Sequence, residues 1–123
     1  MKLEELLYQV NENGFDVNTF SIVSAFRSPY FNKLIGNNTD LSRHVFGDAA
    51  DIYIDNTKDS WMDDLNSDGN ININDALILE RMAAEFDRNK KYSYLAGGLS
   101  SYKSNCVRGP FIHIDTRGYH VRW

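Results

Sequence analysis

Three side chains in this sequence have the chemistry of metal ligands. His44 and Asp51 stand seven residues apart in Ser42-Arg43-His44-Val45-Phe46-Gly47-Asp48-Ala49-Ala50-Asp51-Ile52, with the small residues Gly47, Ala49 and Ala50 on the approach to the carboxylate. A second imidazole, His113, lies in the apolar run Phe111-Ile112-His113-Ile114-Asp115, which reads as a buried strand. Two imidazoles and one carboxylate, with the fourth position left to water, have the makeup of a catalytic rather than a structural zinc site. Any one of the three taken singly is more often a core or surface residue, so the case rests on the set. Zinc held this way keeps about one unit of net positive charge and lowers the pKa of its bound water toward neutrality.

Arg27 follows a strand-like run and precedes Ser28-Pro29. There it can stabilise charge developing on a substrate carbonyl oxygen; a surface ion pair is the ordinary alternative for any arginine. Asp115, on the same face of its strand as His113, is the nearest carboxylate for proton transfer, or it holds a zinc histidine in place. Ser42 and Tyr102 are the candidate substrate contacts. Ser42 could equally cap its loop, and Tyr102, like Trp123, could be core or cleft wall.

A second, unrelated metal pattern occupies Asp64-Leu65-Asn66-Ser67-Asp68-Gly69-Asn70-Ile71-Asn72-Ile73-Asn74-Asp75. Oxygen side chains fall at positions 1, 3, 5 and 9 (Asp64, Asn66, Asp68, Asn72), glycine at 6 makes the sharp turn, Asn70 can offer a carbonyl at 7, and a carboxylate closes at 12 as Asp75. The expected ion is calcium, in a structural role. The competing reading is an Asn/Asp/Gly-rich surface turn.

The elements that must position these residues follow from periodicity and punctuation. Residues 2 to about 13 carry apolar positions at helical spacing and stop at Asn13-Gly14. Residues 20–26 read as a strand delivering Arg27, residues 30–35 as a short helical turn ended by Gly36-Asn37-Asn38, and residues 49–54 as a strand with Asp51 and Tyr53 on one face. A loop carries Ser42 and His44. The stretch from 55 to about 91 is insertion-like: the calcium-type loop, then a helix over about 74–87 with Ala76, Leu77, Leu79, Met82, Ala83 and Phe86 on its buried face. Residues 99–102, 111–115 and 120–123 read as a closing β-meander. The pattern is α+β, a mostly antiparallel sheet with helices packed on one side.

At 123 residues the chain is one domain. Its 13 Lys+Arg against 17 Asp+Glu, a net charge of −4, argue against a nucleic-acid partner. No apolar run is long enough to span a membrane. The single cysteine, Cys106, cannot pair within the chain and reads as a passive loop residue. A monomer is expected. No export signal is visible; either one is cut off upstream of Met1, or the chain is a phage lysis protein that reaches the wall through a pore.

Three motifs carry a resemblance. They are Ser24-Ala25-Phe26-Arg27-Ser28-Pro29 with Asn32; Ser42-x-His44-x-x-Gly47-x-Ala49-x-Asp51-Ile52, the most specific; and Phe111-Ile112-His113-Ile114-Asp115-Thr116-Arg117-Gly118 through Arg122-Trp123. They resemble the LAS zinc D-alanyl-D-alanine carboxypeptidases and murein endopeptidases, which share a fold with the Hedgehog signalling domain. The likeness spans residues 20–32, 41–54 and 97–123, with the calcium loop and its helix inserted between. That loop resembles those of dockerin modules. The resemblance implies zinc on His44, Asp51 and His113, Arg27 in the cleft, peptidoglycan stem peptides containing D-amino acids as substrate, and a periplasmic or extracellular location. One position departs from the pattern. Many LAS enzymes carry an acidic general base three residues before the last zinc histidine, and here that position is Pro110. A zinc- and calcium-stabilised binding module without hydrolysis is therefore the rival expectation.

Overall fold

A computed structural model describes residues 2–36 and 42–123; the Asn37-Asn38 part of the expected helix stop, and Leu41 of the resemblance, lie outside the described residues. The first helix, α1 (Lys2–Glu12), buries Leu6 and Val10. It ends where Gly14 takes φ +95°, a conformation that suits glycine. The Asn11 side chain closes the turn, donating to the Leu7 and Val17 carbonyls and accepting the Val17 N–H.

Five strands form one mixed sheet: β1 (Ser21–Ser24), β2 (Ala49–Tyr53), β3 (Gly98–Tyr102), β4 (Phe111–Asp115) and β5 (Val121–Arg122), in the spatial order β1-β2-β4-β3-β5. The β1-β2, β2-β4 and β3-β4 pairs are antiparallel, but β5 runs parallel to β3. The closing strands are therefore not the expected meander. The reason is topological: β2 and β3 already occupy both edges of β4, so the returning chain takes the outer edge of β3 and runs in the same direction as β3.

Alternation along the strands separates two faces. Ala50 and Ile52 of β2, Leu99 of β3 and Ile112 and Ile114 of β4 join Leu6 and Val10 of α1 in one core. The long helix α4 (Ile73–Arg88) covers the same side through Ala76, Leu79, Met82 and Ala83. Burying each of those larger side chains is worth about 1.5–3 kcal/mol, so this layer is the main source of stability. Leu77, expected on the buried face of α4, is only partly buried. The helix starts one residue earlier than expected because Asn72 caps it, in a reciprocal box with Asp75. Lys2 fastens α1 to the sheet, donating to the Leu95 carbonyl at 2.7 Å and the Asp115 carbonyl at 2.9 Å and pairing with Asp87 at 2.9 Å.

On the opposite face, Asp51 and His113 are direct partners in the β2-β4 register. The short helix α2 (Pro29–Leu34) is capped by the Ser28 side chain, and the short helix α3 (Arg43–Phe46), which Gly47 ends in the left-handed conformation, packs on β2 and supplies His44. The segment expected as a loop carrying His44 is thus a helical turn.

Candidate metal centre

His44 projects from α3, Asp51 from β2 and His113 from β4, and all three are buried. His44 Nε2 lies 3.1 Å from His113 Nδ1 and 3.2 Å from Asp51 Oδ1, and His113 Nδ1 lies 2.9 Å from the same oxygen. Among the described residues, this is the one trio of His, Cys, Asp or Glu whose ligand atoms all lie within 4.8 Å of one another. A tetrahedral site with bonds of about 2.0–2.1 Å has edges of about 3.3 Å, so the triangle matches one face of a zinc tetrahedron.

The outer edge of each ring is already committed. His44 Nδ1 donates to the Ala25 carbonyl at 2.6 Å, and His113 Nε2 donates to Asp115 Oδ2 at 3.1 Å. Those bonds fix the tautomers and turn both remaining nitrogen lone pairs toward the Asp51 oxygen. Three electron-pair donors converging in a buried space repel one another unless a proton or a cation lies between them. Burial works against the charged form of His113, but Asp115 and Asp51 outweigh it and hold its pKa above the ordinary histidine value. Burial likewise opposes ionisation of Asp51, yet its bonds to His113 and His44 keep its carboxyl below the usual range.

Arg27 takes up the other oxygen of Asp51, Nη2 to Oδ2 at 3.1 Å, while its Nε donates to Ser24 Oγ at 2.8 Å and its backbone N–H to the His44 carbonyl at 2.9 Å. It therefore ties β1 to α3 and leaves Asp51 one free oxygen for a metal. Asp115 is not in the cleft. Its side chain is fully enclosed, and its oxygens accept from His113, from the Gly98 N–H at 2.7 Å and from Arg117 at 2.5–3.0 Å. Despite burial, these donors hold its carboxyl far below the ordinary range. Of its two expected roles, the geometry fits holding His113 and leaves no path for proton transfer to a substrate. The glycine pair Gly97-Gly98 allows this packing, since a Cβ on Gly98 would lie 2.5 Å from Asp115 Oδ2.

The trio lines a cleft of about 420 Å³ shared with Arg27, Ser42, Arg43, Tyr102, Arg108 and Trp123. Ser42 stands at the N-cap of α3 but makes no side-chain cap, so its hydroxyl is left to the cleft. Tyr102 stacks on Phe111 with ring centroids 4.9 Å apart, and its hydroxyl accepts from Trp123 Nε1 at 2.6 Å. Asp51 is the only carboxylate among the described lining residues.

Two contributors escaped the sequence reading, the Ala25 carbonyl and Arg117. A backbone carbonyl carries no residue-type signal, whereas Arg117, two positions after Asp115, could have been paired with it from strand spacing.

In the acidic loop, Asp64 accepts from the Asp68 N–H at 3.2 Å and the Gly69 N–H at 2.8 Å, and the Asn66 side-chain oxygen accepts from the Asp68 N–H at 3.1 Å. Asp68 accepts from the Asn70 N–H at 2.8 Å, and Asn72 is used as the helix cap. Asp75 is fully buried and staples the loop shut, accepting from the Leu65 and Asn72 N–H groups at 2.8 Å each. Asp64, Asp68 and Asp75 do not form a trio as close as the histidine site.

Compared with protein-family models, with curated proteins and with solved structures, the chain matches none.

Proposed function

We propose that the chain is a zinc metallopeptidase that hydrolyses peptide bonds in the D-amino-acid-containing stem peptides or cross-links of peptidoglycan. One observation carries the reading: both imidazoles have their outer nitrogens committed, so three lone-pair donors converge on one point at the floor of a cleft. When bound there, zinc supplies a Lewis acid and a water acidified toward neutral pH. His44, Asp51 and His113 hold the ion, Asp115 orients His113, and Arg27 orients Asp51 while facing the cleft, where it can meet charge developing on a carbonyl oxygen. Tyr102 and Trp123 form an aromatic wall for the peptide, and Ser42 offers it a hydroxyl. Calcium in the loop from Asp64 to Asp75 fits a structural role, ordering the start of α4.

The peptidoglycan substrate, the Hedgehog-like fold and a cell-wall location rest on the resemblance of the three sequence motifs to LAS peptidases. A second reading, a zinc-stabilised cell-wall or protein binding module without hydrolysis, is favoured by the lack, among the described residues, of a cleft carboxylate other than Asp51. Digestion of purified sacculi by zinc-loaded protein, with released muropeptides identified by mass spectrometry, separates the two. Release that disappears in His113→Ala supports the peptidase. Tight sacculus binding with no release supports the module. Metal analysis of His44→Ala, Asp51→Ala and His113→Ala belongs beside it: each should lose zinc, and retention in all three would remove the site.

A further inference from the structure

Four arginines line the cleft, and three are matched by carboxylates: Arg27 with Asp51, Arg43 with Asp48 and Arg117 with Asp115. Arg108 pairs with no carboxylate among the described residues. Its guanidinium lies over the Phe111 ring, 4.2 Å from the centroid, and its one side-chain hydrogen bond, to the Lys103 carbonyl, is long at 3.5 Å. Arg108 is half-buried, and holding a guanidinium partly out of water without an anion is costly.

The backbone around Arg108 is held firmly, as expected of a group built to meet a ligand. Its N–H donates to Asn105 Oδ1 at 2.9 Å and its carbonyl accepts from the Asn105 N–H at 2.9 Å. The next two residues, Gly109 and Pro110, are buried, and a Cβ on Gly109 would lie 3.0 Å from Trp61 and the Met62 backbone. Phe111 and His113 are two strand positions apart on one face, roughly 7 Å, so the guanidinium over Phe111 stands about two extended residues from the metal ligands.

We propose that Arg108 is the specificity-determining residue of the cleft and binds a carboxylate of the peptide within about two residues of the bond held at the metal centre. The substrate class is thus a carboxylate-bearing peptide, and the fork of the guanidinium suits a bidentate pair. Stacking on Phe111 sets the plane of the fork, and the cleft, positive in a chain of net charge −4, favours anions locally. This inference rests on the cleft being the peptide site proposed above. The carboxylate can come from the peptide's C-terminus or from an acidic residue within it.

The test is equilibrium binding to zinc-loaded protein of the synthetic stem peptide L-Ala-γ-D-Glu-L-Lys-D-Ala-D-Ala and of two versions, one amidated at the C-terminus and one at the D-Glu α-carboxylate. The wild type should bind the free acid about tenfold or more tightly than one amide, which identifies the source. Arg108→Gln should bind the acid as weakly as that amide and no longer distinguish them, and Arg108→Lys should retain part of the discrimination. Because acid and amide are compared on the same protein, a general loss of stability does not mimic the effect. Equal binding of all three peptides by the wild type, or full discrimination by Arg108→Gln, overturns the assignment. Cleavage read in the same samples is a separate outcome. Cleavage without discrimination removes Arg108 and keeps the peptidase; discrimination without cleavage keeps Arg108 and removes the peptidase.

Discussion

His113 donates from Nε2 to Asp115 Oδ2 at 3.1 Å, and Asp115 is itself clamped by Arg117 and the Gly98 N–H. The carboxylate thus selects the tautomer that leaves Nδ1 free at the metal point. Asp115→Asn keeps the shape but removes the charge, so zinc affinity should fall by about 10–100-fold, the range for a lost partner of a metal histidine. Leaving Arg117 without its anion should also cost about 3 kcal/mol or more of stability. Competition with a chromophoric zinc chelator measures the first and chemical denaturation the second. Wild-type affinity in Asp115→Asn would show that the contact does not set the ligand.

Arg27 bonds to the oxygen of Asp51 that does not face the imidazoles. Arg27→Ala should therefore lower turnover by about 10²-fold or more. It should also weaken zinc binding by about tenfold, because Asp51 loses its positioning partner. Turnover must be measured at saturating zinc to separate the two effects. An unchanged rate there would make Arg27 purely structural.

In the histidine range the pH dependence has opposite signs with and without metal. In the metal-free protein the raised pKa of His113 contributes stability that is present below its unfolded value, about 6.5, and is lost as pH rises through the folded value. The depressed carboxyls of Asp51 and Asp115 contribute stability present above about 3.9 and lost as pH falls toward their folded values. Zinc needs His113 without its extra proton, so the melting-temperature gain from zinc should be small near pH 5 and grow toward pH 8, roughly the histidine range. Zinc removed with phenanthroline, calcium held constant, gives the comparison. Parallel melting curves across that range would contradict the proton assignment.

Calcium should raise the melting temperature, and Asp64→Ala with Asp68→Ala should abolish the rise while zinc stays bound. Asp75 is different in kind: its oxygens already hold the loop ends together through the Leu65 and Asn72 N–H groups. Asp75→Ala should destabilise even without calcium, by about 1–3 kcal/mol for the buried donors left unpaired. Hydrogen exchange of residues 64–88 reports both effects. Protection there that ignores calcium would leave an Asn-rich turn and no ion site.

How far the sequence could be read depended on the range of the interaction. Strand alternation is local and puts Asp51 with Tyr53 and His113 with Asp115, each pair on one face of its own strand, but the direct pairing of Asp51 with His113 depends on β2 lying beside β4, a contact across 62 residues that no local pattern encodes. The helical turn under His44 has only four residues, too few to show a period. The two-residue β5 was read as the end of a meander because its parallel partner is set by which sheet edge remained open. The loop from Asp64 to Asp75 was legible as a turn because its bonds join near neighbours. Helix α4 is legible to within a residue of each end from its long amphipathic period, whereas the Asn72 cap is hidden in a sequence that also reads as an ion loop.

Along β4, Phe111, His113 and Asp115 serve the cleft side, while Ile112 and Ile114 belong to the core. Substitution and insertion should therefore have very different fates in this protein. A laboratory selection for new substrates can randomise Ser42, Tyr102 and Arg108 without touching a residue packed under α1 or α4, so mutational tolerance and evolvability are concentrated on one side of the sheet. A single codon inserted into β4 shifts the alternation by one and exchanges the two sides, pushing a histidine into the apolar layer and an isoleucine toward the metal point. The strand that positions the histidine ligand is thus the one that tolerates a length change least, while change by replacement is left to Ser42, Tyr102 and Arg108 outside it.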